Sequence, residues 1–220
     1  GRLYRNPTIP SYLTQKTGLR MVKTVDFYFA LPSPWTYLAG PRFRELVQRN
    51  DLTVRWKPFD VSRVFALTGT KPVKGRPPQI QANRLTDLAR WHTFLNMKLN
   101  LEPMFFPVDP SPAARMVIAA LQNGTNVMNL ANAYMKAVWA EERDIADPDT
   151  IIAISNEQGL DGTTLYDQIE KERVLSELEE NTQEAIAKNV FGTPPWIYED
   201  VLFWGQDRLD FLSRAIEENN

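Results

Sequence analysis

The chain has 220 residues, enough for one substantial domain or for one domain that carries a large insertion. Its 43% of hydrophobic residues and its net charge of −2 are typical of a globular protein and favour neither nucleic acid nor an acidic membrane surface as a partner. Because there is no cysteine and only one histidine, His92, the composition excludes a disulfide framework, a thiolate metal site and a multi-histidine zinc centre. Carboxylate metal sites remain open, but no motif supports one, and we predict no metal site.

Residues 1–21 are predicted to be an extension outside the fold. The first twenty residues contain four basic side chains and no acidic one, a composition that an organellar targeting segment also has. No run of about 18 apolar residues predicts a membrane span, and no apolar stretch near the start is typical of a secretion signal. We expect a cytoplasmic protein, or one of an organellar matrix if residues 1–20 are native.

Two strands joined by a helix open the predicted fold. Residues 23–30 are β-branched and aromatic, which predicts a strand. Pro34 suits a first helical turn, and apolar residues follow it at helical spacing as far as Val47. Residues 52–57 alternate apolar and polar side chains and predict a second strand. The three elements form the start of a parallel βαβ unit.

The middle of the chain is predicted to be helical. A short helix over residues 60–67 and a loop rich in Gly, Pro and Lys over residues 68–78 come first. Longer helices are predicted over residues 79–99, 113–122, 128–141, 148–158 and 162–188, the last in one or two pieces. Almost nothing in this block is typical of a strand.

Two further strands and a helix close the predicted fold. Residues 197–198 and 201–203 predict a hairpin around Glu199-Asp200, and Asp207 is a good N-cap for the last helix. This order of elements favours an α/β sheet that is interrupted by an all-helical insertion. We expect the sheet domain to comprise residues 22–60 and 186–220, and the helical insertion to comprise residues 61–185.

The segment Ser33-Pro34-Trp35-Thr36 lies where the first strand passes into the first helix. Thiol-redox proteins place a Cys-x-x-Cys motif at such a junction, because the helix N-terminus stabilises a thiolate. Here Ser33 and Thr36 occupy the positions of the two sulfurs. A hydroxyl cannot cycle between thiol and disulfide, but it can donate a hydrogen bond to the thiolate of a small molecule. The alternative is that Ser33 is only an N-cap.

Two later segments are predicted to meet this turn at one end of the sheet. In residues 191–196 two prolines precede a strand, which favours a cis Thr193-Pro194 bond and leaves the main chain of Thr193 facing outwards. In thioredoxin-like folds that main chain pairs with the peptide backbone of a bound thiol compound. Residues 204–208 begin the last helix, where free amides favour a carboxylate.

Together, four segments resemble the bacterial 2-hydroxychromene-2-carboxylate isomerase family, which is related to kappa-class glutathione transferases and to periplasmic disulfide oxidoreductases. They are residues 26–29, 33–39, 191–194 and 203–209. The similarity extends over residues 22–217 and includes Asp87–Trp91 and Phe106-Pro107. It implies a thioredoxin-like (DsbA/kappa-type) sheet domain with a large all-helical insertion, glutathione as the cofactor, a small aromatic substrate and a homodimer.

The resemblance also implies a role for individual residues. Ser33 matches the family's catalytic serine, whose hydroxyl holds the glutathione sulfur as a thiolate. Thr193 and Pro194 match the segment that binds the cysteinyl main chain. Gly205, Gln206 and Asp207 match the positions that hold the γ-glutamyl end. In the family reaction the thiolate adds reversibly to the substrate, turns a double bond into a rotatable single bond, and then leaves, so that nothing is oxidised.

The chain departs from the family on the substrate side. Phe65 stands where a lysine is expected, Pro110 where a tyrosine is expected, and Gly69–Pro72 reads Gly-Thr-Lys-Pro instead of Gly-Asn-Lys-Pro. Residues expected near the substrate are Trp35, Phe65, Lys71 and Trp204, with Lys71, Lys74 and Arg76 as candidate partners of a substrate carboxylate. The alternatives to an isomerase are a kappa-like transferase that conjugates electrophiles with glutathione, and a thioredoxin-like binding module without catalysis.

Overall fold

The computed structural model describes residues 21–218, so most of the predicted extension over residues 1–21 lies outside the described part. The strands are β1 (Thr24–Phe29), β2 (Thr53–Pro58), β3 (Pro195–Tyr198) and β4 (Val201–Trp204). The helices are α1 (Pro34–Asn50), α2 (Val61–Thr68), α3 (Pro78–Phe94), α4 (Ser111–Gln122), α5 (Met128–Ala140), α6 (Pro148–Glu157), α7 (Gly162–Tyr166), α8 (Glu172–Ala187) and α9 (Leu209–Glu218). Short 3-10 turns span Val73–Gly75 and Gln206–Arg208.

The four strands form one mixed sheet in the order β2-β1-β3-β4. As predicted, β1 and β2 are parallel and α1 connects them, while β3 and β4 form a hairpin. Strand β3 runs antiparallel to β1, with Phe27 opposite Trp196. The end of β1, the start of β3 and the end of β4 therefore lie at the same edge of the sheet. The three segments that the sequence predicts to meet, residues 33–36, 191–196 and 204–208, therefore lie at that edge.

An aromatic cluster fixes α1 against the sheet. The ring of Phe27 stacks on Trp196 at 5.2 Å and contacts Phe43 of α1 at 5.0 Å. Trp56 of β2 packs edge-on against Phe27 at 5.3 Å. Phe27, Phe43 and Trp196 are at most 3% exposed, so their burial supplies much of the free energy that holds the helix in place. Because Ser33 immediately precedes α1, the same packing sets the position of Ser33.

Two predicted helix boundaries are corrected. Helix α3 ends at Phe94, not near residue 99, because Asn96 adopts a left-handed conformation with φ 51°. The prediction that Asp207 caps the last helix is wrong. Asp207 lies inside the 3-10 turn, and its carboxylate pairs with Arg208 at 2.7 Å instead of capping α9.

The helical block is confirmed, and the region 162–188 forms two helices, α7 and α8. The boundary proposed between residues 185 and 186 falls inside α8, whose Glu184 bonds to Tyr28 of β1 and Lys57 of β2. The division into a sheet domain and an insertion stays a prediction. Among residues 21–218, no helix combines the length and the apolar character that crossing a membrane requires.

Candidate active site

Ser33 lies at the N-terminus of α1 with only 8% of its surface exposed. Its Oγ accepts a hydrogen bond from the Thr36 N–H at 3.2 Å, which confirms that it is the N-cap. Within residues 21–218 the hydroxyl proton of Ser33 has no acceptor. The capping alternative and the ligand-binding interpretation are therefore compatible, because the oxygen serves the helix while the proton stays available.

Thr36 connects this turn to the proline segment. Its Oγ1 lies 3.0 Å from the Oγ1 of Thr193, a hydrogen bond between residues 157 positions apart. The Thr193-Pro194 bond is cis, as the sequence predicts. Thr36 is 1% exposed, so the contact is shielded from water on its side. The structure thus brings Ser33, Thr193 and Pro194 to one place.

The main chain around Pro194 has one hydrogen-bonded carbonyl and, among the described residues, two groups of Thr193 without a hydrogen-bond partner. The Pro194 carbonyl accepts from the Gly205 N–H at 2.9 Å, which joins the proline segment to residues 205–207. Within the described residues, the N–H and C=O of Thr193 have no partner. Thr193 is half-buried, and such an open pair at a strand end can add an extended peptide.

Gln206 is turned into the protein. It is 4% exposed, its Oε1 accepts a hydrogen bond from Arg42 Nη2, and its main-chain carbonyl accepts from Arg42 Nη1 at 3.2 Å. The Arg42 guanidinium also lies 5.6 Å from the centre of the Trp91 ring. Burial lowers the pKa of Arg42, and the carboxylates of Asp210 and Asp207 oppose that shift. The Gln206 side chain therefore anchors its segment, and of the main-chain groups of Gln206 only the N–H is without a partner among the described residues.

Sequence reasoning did not single out Arg42. The sequence signal for this residue is weak: Arg42 is a charged residue among apolar positions of α1. It lies four residues after Leu38, and the Leu38 carbonyl also accepts a hydrogen bond from Arg42. Asp207, in contrast, is exposed and pairs only with its neighbour Arg208 within the described residues.

The two tryptophans predicted to flank the site have different surroundings. Trp204 is 45% exposed, and its ring lies 4.9 Å from that of Phe191. A Cβ on Gly192 would lie 2.5 Å from Trp204 Nε1, so the glycine lets this ring approach the proline segment. Trp35 is half-buried and packs against the core. Within residues 21–218 no ring contact joins Trp35 to Trp204.

Comparison with known proteins agrees with this arrangement. Residues 24–217 match the family of the DSBA-like thioredoxin domain. The 2-hydroxychromene-2-carboxylate isomerase of Pseudomonas putida is 32% identical over 197 residues, which covers 87% of this chain and 93% of the relative. The chain belongs to this isomerase family. A solved structure of a 2-hydroxychromene-2-carboxylate isomerase superimposes with a TM-score of 0.74 at 26% identity and covers 89% of this chain and 95% of that one.

A more distant relative of this isomerase-family chain carries a different name. Glutathione S-transferase kappa 1 of Caenorhabditis elegans is 24% identical over 207 residues, which covers 88% of this chain and 91% of the relative. Both relatives are matched over nearly their whole length. The similarity therefore includes the sheet, the helical block and all three segments of the candidate site.

The remaining predicted residues of this family member lie on α2 and the loop after it. Phe65 is half-buried on α2, and Lys71 is exposed, with its carbonyl accepting from Arg76 Nε at 2.9 Å. No hydrogen bond within residues 21–218 joins either side chain to Ser33 or Thr193. An open cavity of about 250 Å³ lies between α2 and the segment that leads to the cis proline. Its lining includes Val64, Leu67, Ile186 and Phe191.

Proposed function

We propose that this protein is a glutathione-dependent isomerase that converts 2-hydroxychromene-2-carboxylate to trans-o-hydroxybenzylidenepyruvate, or acts on a related intermediate of aromatic-hydrocarbon catabolism. One observation carries the proposal. At a helix N-terminus lies a serine whose hydroxyl proton has no acceptor among residues 21–218. The 3.0 Å contact from Thr36 to Thr193 joins that helix to the main chain beside the cis proline, whose Thr193 N–H and C=O have no partner in the same range. This arrangement suits a small peptide that carries a thiolate.

The residues present fit glutathione. The free N–H and C=O of Thr193 can pair with the cysteinyl main chain, in the manner of a strand added to a sheet edge. Bound in this way, glutathione supplies a thiolate that adds reversibly to the unsaturated substrate, makes a double bond rotatable and departs. Ser33, at the N-terminus of α1, would then face the cysteinyl sulfur of glutathione.

Ser33 stabilises the negative charge on sulfur by two effects. Its hydroxyl proton can be donated to the thiolate, and the N-terminus of α1, where the Trp35 N–H has no partner among residues 21–218, adds a positive potential. Both effects lower the pKa of a thiol bound there, so that more of it is a nucleophile at neutral pH. A reaction without net oxidation needs no second thiol, which is consistent with Thr36 at the other motif position.

The γ-glutamyl end would lie at residues 205–207. The exposed Asp207 carboxylate suits the ammonium group, and the main-chain N–H groups nearby suit the carboxylate. Arg42 binds Gln206 through two hydrogen bonds, so residues 205–207 are held in place before a ligand binds. Such preorganisation reduces the entropy cost of binding.

The test measures turnover of 2-hydroxychromene-2-carboxylate by protein freed of small molecules through unfolding and refolding. Glutathione, S-methylglutathione and buffer are added in separate arms. We expect isomerisation only with glutathione, because S-methylglutathione keeps the peptide backbone but has no thiolate. Equal turnover in buffer alone would contradict the proposed mechanism.

A kappa-like transferase is the second candidate, favoured by the similarity to glutathione S-transferase kappa 1 of Caenorhabditis elegans. The departures at Phe65 and Pro110 leave room for a substrate other than the chromene. A chlorodinitrobenzene conjugation assay separates the two, because a transferase retains the adduct and an isomerase releases the thiol. Glutathione binding without turnover in either assay would instead indicate a binding module.

A further inference from the structure

Arg84 of α3 places a half-buried guanidinium on two aromatic faces. Its guanidinium carbon lies 5.5 Å from the centre of the Phe106 ring and 5.8 Å from the centre of the Trp139 ring. The two rings are 5.0 Å apart and Trp139 is fully buried, so together they form a rigid apolar backing. The ring faces accept no directed hydrogen bond from the guanidinium, so its N–H groups stay available to a ligand.

No carboxylate of the described residues neutralises Arg84. Within residues 21–218 it forms no ion pair and no hydrogen bond. Burial, together with the smaller effect of the like charge of Arg76, lowers its pKa to about 10. Two other partly buried arginines of the described residues do have acidic partners, since Arg115 pairs with Glu170 and Arg143 with Glu157.

Arg76 adds a second cation with free donors. Its Nε donates to the carbonyl of Lys71 at 2.9 Å, which fixes the side chain and leaves both Nη groups without a partner among the described residues. Burial lowers the pKa of Arg76 as well. Two mutually repelling cations that are partly desolvated and have no counter-ion among residues 21–218 raise the free energy of the unliganded protein. An anion between them removes that cost.

The pair lies near the candidate active site. Trp139, which backs Arg84, donates from Nε1 to the carbonyl of Pro32 at 3.2 Å. Pro32 directly precedes Ser33, so a single side chain contacts both the guanidinium and the catalytic turn. An anion bound at Arg84 would therefore be separated from the turn that carries Ser33 by the side chain of Trp139.

We propose that Arg84, assisted by Arg76, binds the carboxylate of a small organic ligand at the active site. The inference rests on the proposed function for the identity of that ligand, whose carboxylate belongs either to the aromatic substrate or to the glycyl end of glutathione. Arg84 is a binding residue in this scheme, since the planar guanidinium fork matches a carboxylate edge. No covalent step involves it.

The experiment compares matched anionic and neutral ligands by calorimetry. One pair is trans-o-hydroxycinnamate and its amide, and the other is glutathione and its glycyl monoethyl ester. Wild type is expected to bind the acid of one pair about tenfold or more tightly than its neutral partner. Arg84→Gln should abolish that preference and Arg76→Gln should reduce it. The pair that responds identifies the source of the carboxylate.

Arg90→Gln is the matched control, because it removes the same charge from α3 at an exposed position that pairs with Asp87. It should leave both preferences unchanged. A wild-type protein without either preference, or an Arg84→Gln protein that melts earlier but keeps the preference, would overturn the inference and assign Arg84 to packing alone. If Arg84→Gln does not fold, Arg76→Gln is measured instead, and an unchanged preference for the acid in that variant would overturn the inference.

The inference and the proposed function fail in different ways. If wild type shows no isomerase turnover but its acid preference disappears in Arg84→Gln, the carboxylate site is correct and the proposed reaction is wrong. If turnover depends on glutathione but Arg84→Gln leaves KM and both preferences unchanged, the reaction is correct and the carboxylate site is wrong.

Discussion

The hydroxyl of Ser33 accepts a hydrogen bond from its own helix, and its proton has no acceptor among residues 21–218. The bond from the Thr36 N–H orients the oxygen, because the N-cap geometry of α1 allows few side-chain rotamers. A side chain already held in place loses little entropy when it binds a thiolate. At the scale of one residue, capping thus prepares the proposed catalytic group.

Replacing Ser33 by alanine should affect catalysis far more than folding. We expect Ser33→Ala to lower kcat by about 10²- to 10³-fold, the range for loss of one oriented donor to a reacting anion. The free energy of unfolding should fall by only about 0.5–2 kcal/mol, the usual cost of a lost N-cap. Steady-state kinetics and thermal unfolding measure the two effects.

Asp147→Ala provides the control for capping, because Asp147 caps α6 by accepting from the Thr150 N–H at 2.9 Å and has no contact with the site among the described residues. It should lower stability by a similar amount and leave kcat unchanged. Unchanged turnover in Ser33→Ala would mean that the serine is a helix cap only.

At the scale of elements, local sequence patterns predicted the βαβ unit, the hairpin and the helical block, since each is dictated by periodicity and turn residues. Helix ends depend on more than local pattern. Asp207 has the chemistry of an N-cap, but it pairs with Arg208 while the 3-10 turn precedes α9. The Arg42–Gln206 contact joins residues 164 positions apart, and no local rule could indicate it.

The link between α1 and the 3-10 turn can be measured by a double-mutant cycle. Arg42→Met should destabilise the protein by about 1–3 kcal/mol, because it leaves the buried Gln206 oxygen without a donor. Gln206→Leu should destabilise the protein by a similar amount, because it leaves the Arg42 guanidinium without this acceptor. The double variant should be less destabilised than the sum of the two single variants by a coupling energy of about 0.5–3 kcal/mol. Strictly additive losses in denaturant unfolding would show that the contact does not hold the loop.

A second link joins β1, β2 and α8 through charges. Glu184 accepts from Tyr28 Oη at 2.6 Å and from Lys57 Nζ at 2.7 Å. Burial raises the pKa of Glu184, but the hydrogen bonds from Lys57 and Tyr28 and the nearby ammonium charges outweigh it and hold the pKa below the usual 4.5. The folded state thus favours the ionised carboxylate.

This sign predicts how stability depends on pH. A depressed pKa contributes stability that is present above the unfolded value near 4.5 and is lost as the pH falls through the folded value. Glu184→Gln should therefore lower Tm at neutral pH, and its difference from wild type should shrink below about pH 4. Glu180→Gln, an exposed change on the same helix, is the control. A difference that does not vary with pH would contradict the assignment.

For the whole molecule, the sequence predicted which three segments meet, because the strand order brings them to one edge of the sheet. It did not predict the direction of the Gln206 side chain. It also did not predict that Arg84 has no counter-ion in the described part of the chain. Both arise from the packing of α1, α3 and α5. The homodimer stays a prediction, which light scattering can test against the 25.3 kDa mass of one chain.

The proposed ligand would bridge chain segments more than 150 positions apart, as the 157-residue separation of Thr36 and Thr193 illustrates. Glutathione at about 100 times its Kd should therefore add about 2.7 kcal/mol to the free energy of unfolding of the whole protein. Amide hydrogen exchange should locate the effect. Protection is expected at the Thr193 N–H, which has no partner among the described residues, and not in α6.

S-methylglutathione distinguishes binding to the Thr193 main chain from binding of the thiolate to Ser33 in the same hydrogen-exchange and affinity measurements. Because it retains the cysteinyl main chain, it should still protect the Thr193 N–H. Because it has no thiolate, its affinity should be the same for wild type and Ser33→Ala, whereas the affinity of glutathione should fall in the variant. Protection confined to segments outside residues 33–37 and 191–207 would place the ligand elsewhere and contradict the proposed site.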